Sequence, residues 1–577
     1  MSNRYSLCLL ILWIILGAGL RFNHLTAKPI WTDEFATIVF SLGNHFDSIP
    51  LGQVIDTATL LSPLKPSSSS LNEVIQGILD HDNHPPLYFA LAHLWLSLFP
   101  TADYVNLWAA RALPALFGVL AIPLSYFLAY WIVPSRLFAH LTALLMAVSP
   151  YGVFISQEAR HYTLAVIWVL LSVGCFIKSG QYLAKNQRIP PKIIIAWIII
   201  NSFGLSTHFF CGLAFFAEFL TLGIWFVYNL FTPKFSLANF YKYYRAWSSL
   251  LWVILGTLTS ALFWLWIIQQ RDYGNGMTQW IKQDNSHFLG VISPPFQLFA
   301  AWLTMVCLLP VESPNIIIVI ISALAMLICV IFWFAAIAWR TLKQAVKSDV
   351  WGLETRLLLG GFSSLTLIYL GITYLIGMDI TRGARYSFTF LPFMVFLLAI
   401  ILTLVWQTQR FSLPNPWIRQ DLKKFCYENG QFITMGVITL GIFSSLTITN
   451  NLGYQKYYRP DQFLTLLQNQ SPTPHLIATT HQSLVQTGEM MSLAWESQTM
   501  PQLQPHLSFL LIPQTQENSP QSTEKLTQIV QKLSKPVSVW AVNFKAPVKL
   551  PNCALHDLTQ PINGYQYQHY QCFPASK

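Results

Sequence analysis

Polar side chains gather at the ends of several long apolar stretches, where ionisable groups are costly unless they serve a partner or a reaction. One such cluster, KPIWTDEF (28–35), places the carboxylates of Asp33 and Glu34 side by side. Adjacent loop carboxylates can face different partners, so that one acts as a general base while the other accepts a hydrogen bond or binds a metal. The alternative interpretation is a pair of solvated acids.

Two further clusters combine histidines with other polar groups. In HDNHPPLYF (81–89), two prolines fix the start of a short helix and hold His84 near the bilayer surface. There it could bind a metal, a phosphate or a sugar hydroxyl, or lie in a solvated turn. The stretch SPYGVFISQEARHYTLAV (149–166) places four polar side chains within one helical turn. They are Gln157, Glu158, Arg160 and His161. They form either a substrate site or a simple polar cap at the start of the helix.

A fourth cluster, MDITRGARYSFTFLPF (378–393), carries Arg382 and Arg385. The charge distribution assigns this loop to the outer side of a membrane, against the usual bias of cations, which suggests a bound anion such as a phosphate. Gly383 lets the backbone approach closely, and Tyr386 is a candidate substrate contact. The alternative is that both arginines reach along the chain to the membrane surface.

The composition excludes a water-soluble globular enzyme. The chain has 577 residues, of which 54% are hydrophobic and only 10% charged, whereas soluble domains carry about 25% charged residues. Its mean hydropathy is +0.46. The net charge is +10, but the basic residues form no run typical of nucleic-acid binding. We therefore interpret the basic excess as a sign of membrane orientation and predict no nucleic-acid partner.

The elements that must position these clusters are membrane helices. We predict a mostly α polytopic bundle of about eleven spans, the first an uncleaved anchor, because each stretch is long enough to cross a hydrocarbon core of about 30 Å. The spans are 7–22, 107–132, 137–154, 163–178, 193–209, 212–230, 248–268, 315–339, 357–377, 386–406 and 431–449.

Two shorter apolar stretches, 87–99 and 297–309, are expected to lie along the outer interface as amphipathic helices. With both outside, five basic connectors fall on the cytoplasmic side. They contain Arg136; Lys178, Lys185, Arg188 and Lys192; Lys234, Lys242 and Arg245; Arg340, Lys343 and Lys347; and Arg410, Arg419, Lys423 and Lys424. The loops 23–106, 155–162, 269–297 and 378–385 then face outward.

The polar tail, 451–577, predicts a small soluble α/β domain outside the membrane, following a transmembrane catalytic domain over 1–450. Its pattern reads as strands at 475–481, 506–513 and 537–544, with helices at 483–496 and 522–534, which is typical of parallel βαβ units. Cys553 and Cys572 lie in this tail and form either a disulfide or two free thiols.

Taken together, the clusters predict an outward site with a carboxylate base, a phosphate clamp and lipid access. A sugar carried on polyprenyl phosphate fits such a site. WTDEF, HPPLYFALAHLW, SQEARHYTLAVIWVLLS, STHFF (206–210) and RGARYSFTFLPF, in this order, resemble the bacterial membrane glycosyltransferases of the glycosyltransferase-C superfamily. The resemblance covers roughly residues 5–410 and points to the branch related to protein O-mannosyltransferases and aminoarabinose transferases of lipid A.

The resemblance implies an inverting hexosyl or pentosyl transfer at the outer face of the cytoplasmic membrane. Asp33 would be the general base, Arg382 and Arg385 would stabilise the leaving phosphate with help from His84, and Glu158 would orient a substrate. His208 could join Glu34 or His84 at a divalent metal, although no cofactor is expected to be required. The acceptor would be a lipid, a glycan or a protein.

Two other functions remain open at this point. The chain could transport lipid-linked sugars, for which Glu218 inside the stretch 212–230 is the main polar feature. It could also be a membrane scaffold whose outer domain binds a partner.

Overall fold

The computed structural model describes residues 3–231, 237–270, 280–282, 288–328, 335–408, 430–470, 474–515, 519–533, 536–556 and 560–573. Within these ranges, eight helices are long and apolar enough to cross a membrane, or nine if one bent pair forms a single span. The protein is therefore a mostly helical, multi-pass membrane protein with a small C-terminal sheet domain. Two predicted spans, 193–209 and 315–339, correspond to shorter described helices of 17 and 13 residues.

The first span leads into a long, folded loop over residues 23–106. Its elements are α1 (Asn3–Phe22), α2 (Thr32–Ser41), β1 (Val54–Asp56), α3 (Thr57–Leu60), α4 (Leu71–His81) and α5 (Leu87–Leu96). The Ser70 hydroxyl and the Glu73 carboxylate form a reciprocal cap that starts α4. The short helix predicted over 87–99 is α5, with only ten residues.

The remaining bundle helices follow in chain order. They are α6 (Leu107–Ile132), α7 (Arg136–Val148), α8 (Pro150–Ser156), α9 (Tyr162–Ala184), α10 (Pro191–Thr207), α11 (Cys211–Leu230), α12 (Leu237–Gln269), α13 (Phe288–Thr304), α14 (Ile316–Ile328), α15 (Ala335–Lys347), α16 (Gly352–Gly371), α17 (Leu391–Gln407) and α18 (Gly430–Thr449). The interfacial helix predicted over 297–309 is α13, which begins and ends earlier than predicted.

A break between α7 and α8 shapes the site end of the bundle. The two helices meet at 53°, because Pro150 lacks the N–H that would continue α7. The Ser149 hydroxyl restarts the helix by accepting a hydrogen bond from the Gly152 N–H at 3.2 Å. The segment that follows α8 then turns across the end of the bundle, where it holds the polar cluster 157–161.

The buried helix α9 extends from one end of the bundle to the other. Its 23 residues extend roughly 35 Å at 1.5 Å per residue. The cluster 157–161 lies at its start, whereas at its far end Gln181 bonds Glu354 at the start of α16. The basic connectors around Lys185 and Arg340 adjoin that far end. The cluster 157–161 and these basic connectors therefore occupy opposite ends of α9.

The C-terminal domain contains α19 (Pro460–Gln468), β2 (His475–His481), α20 (Leu484–Glu496), β3 (Leu507–Pro513), α21 (Pro520–Gln531), β4 (Val537–Val542), β5 (Cys553–His556) and β6 (Tyr567–Cys572). The described strands form one sheet in the order β1-β3-β2-β4-β6-β5, in which β2 pairs in parallel with β3 and β4. The predicted parallel unit is confirmed. The tail also contains two antiparallel strands that were not predicted, and Cys553 and Cys572 are joined by a disulfide.

The outer loop and the tail share this sheet. Strand β1 belongs to the loop between α1 and α6, and it pairs antiparallel with β3. Helix α20 packs on α2 so closely that a Cβ at Gly488 would lie 2.6 Å from the Thr32 side chain. The Ser492 hydroxyl donates to the Ile30 carbonyl at 2.9 Å. The tail therefore packs directly on the segment that carries Asp33.

Candidate functional site

The adjacent acids Asp33 and Glu34 occupy the first turn of α2, where the helix dipole favours negative charge. The residue before the helix, Trp31, is extended. Because successive residues of a helix point about 100° apart, the two carboxylates face different surroundings. One is buried in the protein, and the other faces the site.

Glu34 is the buried member of the pair. Its carboxylate accepts two hydrogen bonds of 2.9 Å from Arg111 and one of 2.8 Å from the Ala159 N–H, and both charged side chains are fully buried. Burial opposes ionisation, but the charges of Arg111 and Lys456 and the hydrogen bonds from Arg111 and Ala159 together lower the pKa of Glu34. These contacts contradict the expectation that Glu34 is catalytic or binds a metal, because its oxygens are already occupied. Glu34 instead anchors the start of α2.

Arg111 extends this anchor to the chain after α1. Its guanidinium also donates to the carbonyls of Leu25, Lys28 and Pro29 at 3.1, 2.9 and 3.2 Å. Three residues of the loop that follows α1 are thereby held against α6. This contact also fixes the position of the nearby Asp33. The sequence pattern did not single out Arg111, because it lies inside an apolar stretch without a neighbouring acid.

Asp33 is the accessible member, with 32% of its side chain exposed. Its Oδ2 lies 3.3 Å from Arg385 Nη2 and 3.9 Å from Arg160 Nη2. Arg160 also donates to the Asp33 backbone carbonyl at 2.9 Å and to the Thr37 hydroxyl at 2.6 Å. Two of the predicted clusters thus meet the Asp33 carboxylate, which remains open to a substrate.

Arg385 is held by aromatic side chains. Its guanidinium lies 4.4 Å from the ring centre of Trp31 and 5.3 Å from that of Trp280, while Tyr151 of α8 donates to its backbone carbonyl at 2.9 Å. Its Nε is buried and has no hydrogen-bond acceptor among the described residues. A buried, unsatisfied guanidinium N–H is costly and is matched well by a phosphate oxygen.

Nearby residues of the same loop take different positions. Arg382, predicted to share the phosphate, instead donates to the Asp379 carboxylate and the Trp280 carbonyl, both at 3.1 Å. The ring of Tyr386, the predicted substrate contact, stacks with Trp280 at 5.9 Å. Both rings press on Gly383, where a Cβ would lie 2.8 Å from Tyr386. Arg385 alone of the two arginines reaches Asp33.

Three histidines form a compact cluster beside Arg160, here named the histidine triad: His84, His161 and His208. One ring nitrogen of each lies within 4.8 Å of the others. Burial lowers the pKa of His161 and His208 well below the usual value, with Arg160 and the neighbouring histidines adding to the effect. Neutral imidazole is the form that binds metals.

The residues that contact the triad have opposite effects on the binding of a metal ion. The Asp82 carboxylate lies 2.6 Å from His84 Nδ1, an arrangement that often orients metal-binding histidines. His84 Nε2, however, lies 3.3 Å from Arg160 Nη2, whose positive charge opposes a cation. His161 and His208 each retain a ring nitrogen with no partner in the described structure. The ligand set therefore fits a divalent metal in type, although Glu34 is not part of it.

Glu158 pairs with a lysine that the sequence did not highlight. Its Oε1 forms an ion pair with Lys456, the Nζ of which lies 4.7 Å from the Trp31 ring centre. Lys28 lies nearby, and its buried Nζ has no hydrogen-bond acceptor among the described residues. Both lysines belong to segments close to Trp31 in space, and only the fold reveals their proximity.

Gln157 and Glu218 have structural positions. Gln157 Nε2 donates to the backbone carbonyls of Arg21 and Asn23 at 3.3 and 2.8 Å, which contradicts its expected role in substrate binding. Glu218 lies fully buried in α11 and accepts a hydrogen bond of 2.6 Å from the Ser172 hydroxyl. Its network ties helices together within the bundle, away from Asp33.

An apolar cavity of about 740 Å³ lies between α10, α11 and α12. Its lining includes Leu205 and Gly212, which flank His208 and Phe210 at the site end, and the Phe210 ring lies 4.8 Å from that of Tyr386. The end of the cavity at Leu205 and Gly212 therefore lies close to Phe210, whose ring neighbours that of Tyr386.

Residues 79–268 match the family model of the dolichyl-phosphate-mannose-protein mannosyltransferases. The match confirms the predicted resemblance to protein O-mannosyltransferases over these residues. It includes Arg160 and the whole histidine triad, whereas Asp33 and Arg385 lie outside it.

Solved structures that align with this chain differ in coverage, identity and TM-score. ArnT from Cupriavidus metallidurans aligns over 99% of this chain and 98% of its own, with 10% identity and a TM-score of 0.47. The oligosaccharyltransferase of Archaeoglobus fulgidus aligns over 94% and 70%, with 13% identity and a TM-score of 0.43. The Pmt1-Pmt2 protein O-mannosyltransferase complex of S. cerevisiae aligns over 47% and 34%, with 17% identity and a TM-score of 0.32. No curated protein matches the sequence.

Proposed function

We propose that this protein transfers a sugar from a polyprenyl-phosphate donor to an acceptor at the outer face of the cytoplasmic membrane. The observation that carries the proposal is the Asp33 carboxylate, which is one-third exposed and held 3.3 Å from Arg385 at one end of the bundle. The family whose model matches residues 79–268 is named for a sugar carried on a lipid phosphate. The site supplies a base for the acceptor and a cation for that phosphate.

The proposed reaction is a single displacement. Asp33 removes the proton of an acceptor hydroxyl or amine as that atom attacks the anomeric carbon, and the bond from that carbon to the phosphate oxygen breaks. The lipid phosphate leaves with the bonding electrons, and Arg385 stabilises its added negative charge. Attack opposite the leaving group inverts the anomeric centre, since one carboxylate acts only as a base.

Other residues hold this arrangement. Glu34 and Arg111 fix the start of α2, Arg160 holds the Asp33 backbone, and Glu158 brings Lys456 to the edge of the site. The apolar cavity at α10 to α12 offers space for the polyprenyl tail, with its phosphate at the aromatic side chains near Arg385. A buried tail and an emerging phosphate suit a substrate drawn from the bilayer.

No step of this mechanism passes through a metal. The donor has no nucleotide diphosphate for a metal to bridge, and Arg385 already supplies positive charge. The histidine triad could hold one divalent ion, which would add positive charge near the phosphate. We expect EDTA-washed protein to retain transfer activity in an assay with metal-free buffers.

The orientation of the site is part of the proposal. We assign the basic connectors at the far end of α9 to the cytoplasm, in line with the usual bias of cations, and Asp33 and the C-terminal domain to the outside. Reporter fusions after residues 105 and 160 test this placement. An intracellular signal from either fusion would contradict it.

The enzymatic proposal is tested with the full chain in nanodiscs and a labelled polyprenyl-phosphate sugar. We expect the transferred label to have inverted anomeric configuration, and Asp33→Asn and Arg385→Ala to abolish most transfer. Asp103→Asn is the matched control, because Asp103 is an exposed acid of the same outer loop. Wild-type rates in both site variants would exclude the mechanism.

A further inference from the structure

The C-terminal domain contains a second kind of cavity. Its volume is about 540 Å³, within the range of about 300–1,000 Å³ that small-molecule sites usually have. Most of its lining is polar, in contrast to the apolar cavities among the membrane helices. The lining includes Tyr457, Gln486, Glu489, Asn543, Gln566 and Tyr567.

The polar groups of this cavity suit a neutral ligand rich in hydroxyls. Amide side chains both donate and accept hydrogen bonds, as sugar hydroxyls do. The buried Glu489 carboxylate accepts from the Tyr458 hydroxyl at 2.6 Å and from Asn543 Nδ2 at 3.0 Å, which leaves lone pairs for a further donor. Lys545 also lines the cavity and offsets the charge of this carboxylate, so the lining as a whole favours a neutral ligand, and a lipid tail would find little apolar surface.

Aromatic side chains also line the cavity, among them Tyr457 and Tyr567. The side chain of Tyr457 is 73% exposed, and its ring lies edge-on to that of Tyr458 at 5.3 Å. Tyr567 is half-buried on β6. An exposed aromatic face beside amide groups can contact the C–H face of a sugar ring while the amides bond its hydroxyls.

The cavity also adjoins the site. Tyr457 follows Lys456, which pairs with Glu158. Gln486 and Glu489 lie on α20, the helix that packs on Thr32 at the start of α2. The cavity therefore shares α20 with the contact on α2, and its edge at Tyr457 lies one residue from Lys456.

We propose that this cavity is an acceptor subsite that binds a short neutral glycan and presents its hydroxyl to Asp33. This inference rests on the proposed function for the transfer step, but the binding itself does not require catalysis. A peptide acceptor would instead need apolar pockets for side chains, which the polar lining offers poorly.

Binding is tested on the full-length protein in nanodiscs by saturation-transfer NMR, with mannotetraose, maltotetraose and cellotetraose as probes. We expect at least one tetrasaccharide to bind, and Tyr457→Ala and Gln566→Ala each to weaken it at least about fivefold. Gln502→Ala is the matched control, because Gln502 is an exposed glutamine of the same domain outside the cavity. A serine-rich hexapeptide is titrated in parallel.

Binding of none of the tetrasaccharides would overturn the proposal, as would equal binding by the cavity variants and the control. Binding of the hexapeptide alone, lost in Tyr457→Ala, would assign the cavity to peptides and also overturn it. Loss of glycan binding in both cavity variants supports it.

Transfer kinetics separate this inference from the proposed function. With an active enzyme, Tyr457→Ala should raise the KM for a glycan acceptor at least about fivefold and leave the donor KM unchanged. Unchanged acceptor KM would remove the subsite and leave the transferase intact. Glycan binding that follows the variants in a protein without transfer would retain the subsite and refute the transferase.

Discussion

Replacing each acid of the adjacent pair by its amide should separate chemistry from stability. Asp33 is exposed and meets Arg385 at 3.3 Å, so Asp33→Asn loses only a partly exposed ion pair, worth about 0–1 kcal/mol of folding free energy. As a general base it contributes about 10²- to 10⁴-fold to the rate, or about 3–5 kcal/mol of activation free energy. We expect this loss in kcat with unchanged thermal unfolding.

Glu34→Gln should show the opposite pattern. The substitution leaves the fully buried Arg111 without its anionic partner, and breaking such a buried pair costs about 3–5 kcal/mol. We expect a clear loss of stability in denaturant unfolding of the detergent-solubilised protein. The fraction that remains folded should retain much more activity than Asp33→Asn.

Both measurements use the same protein preparations, so specific activity is normalised to the folded fraction. Unfolding is followed by intrinsic tryptophan fluorescence, and transfer by the labelled donor. The reasoning is refuted if Glu34→Gln unfolds like the wild type but loses transfer, or if Asp33→Asn retains full kcat. Either result would show that Asp33 is not the general base.

Three other predictions concern charge, burial and cross-linking. Arg385→Ala should reduce transfer far more than Arg382→Ala, because only Arg385 reaches Asp33; equal losses in labelled-donor assays would contradict this. Burial, aided by Lys456, lowers the pKa of Lys28 to about 7. Between that value and its ordinary value of 10.5, the unfolded chain binds a proton that the folded chain does not, so stability should rise with pH across this window. Lys28→Met should flatten the pH dependence of denaturant unfolding; an unchanged slope would show that Lys28 is not its source. Cys553→Ser should destabilise the C-terminal domain by about 3 kcal/mol, because it opens a 19-residue loop, as limited proteolysis can test; equal protease resistance would argue against it.

Local patterns in the sequence were sufficient to predict most of the helices and the parallel strands. Apolar stretches of bilayer length predicted the helical membrane bundle, because backbone polar groups in lipid must be satisfied within each helix. Alternating strands and helices in the tail predicted the parallel unit β3-β2-β4, since short connections restrict the possible pairings. The break at Pro150 was not predicted, because the stretch 137–154 was taken as one span, whereas the structure bends it by 53°.

The roles of individual site residues depended on contacts between distant segments. Asp33 and Glu34 have the same local context, and only Arg111, 77 residues away, makes one of them a buried anchor. Glu158 meets Lys456 across 298 residues, and Gln157 turns towards the chain after α1. Sequence patterns report periodicity and polarity, which act over a few residues.

The sequence by itself therefore determined that the chain is a helical membrane protein, and that its reactive side chains lie at helix ends. Only the tertiary structure decided which acid remains open, which arginine faces it and which strand of the outer loop joins the C-terminal sheet. The physical reason is that a polar group's role depends on the partners that satisfy or expose it. Packing of distant segments chooses those partners.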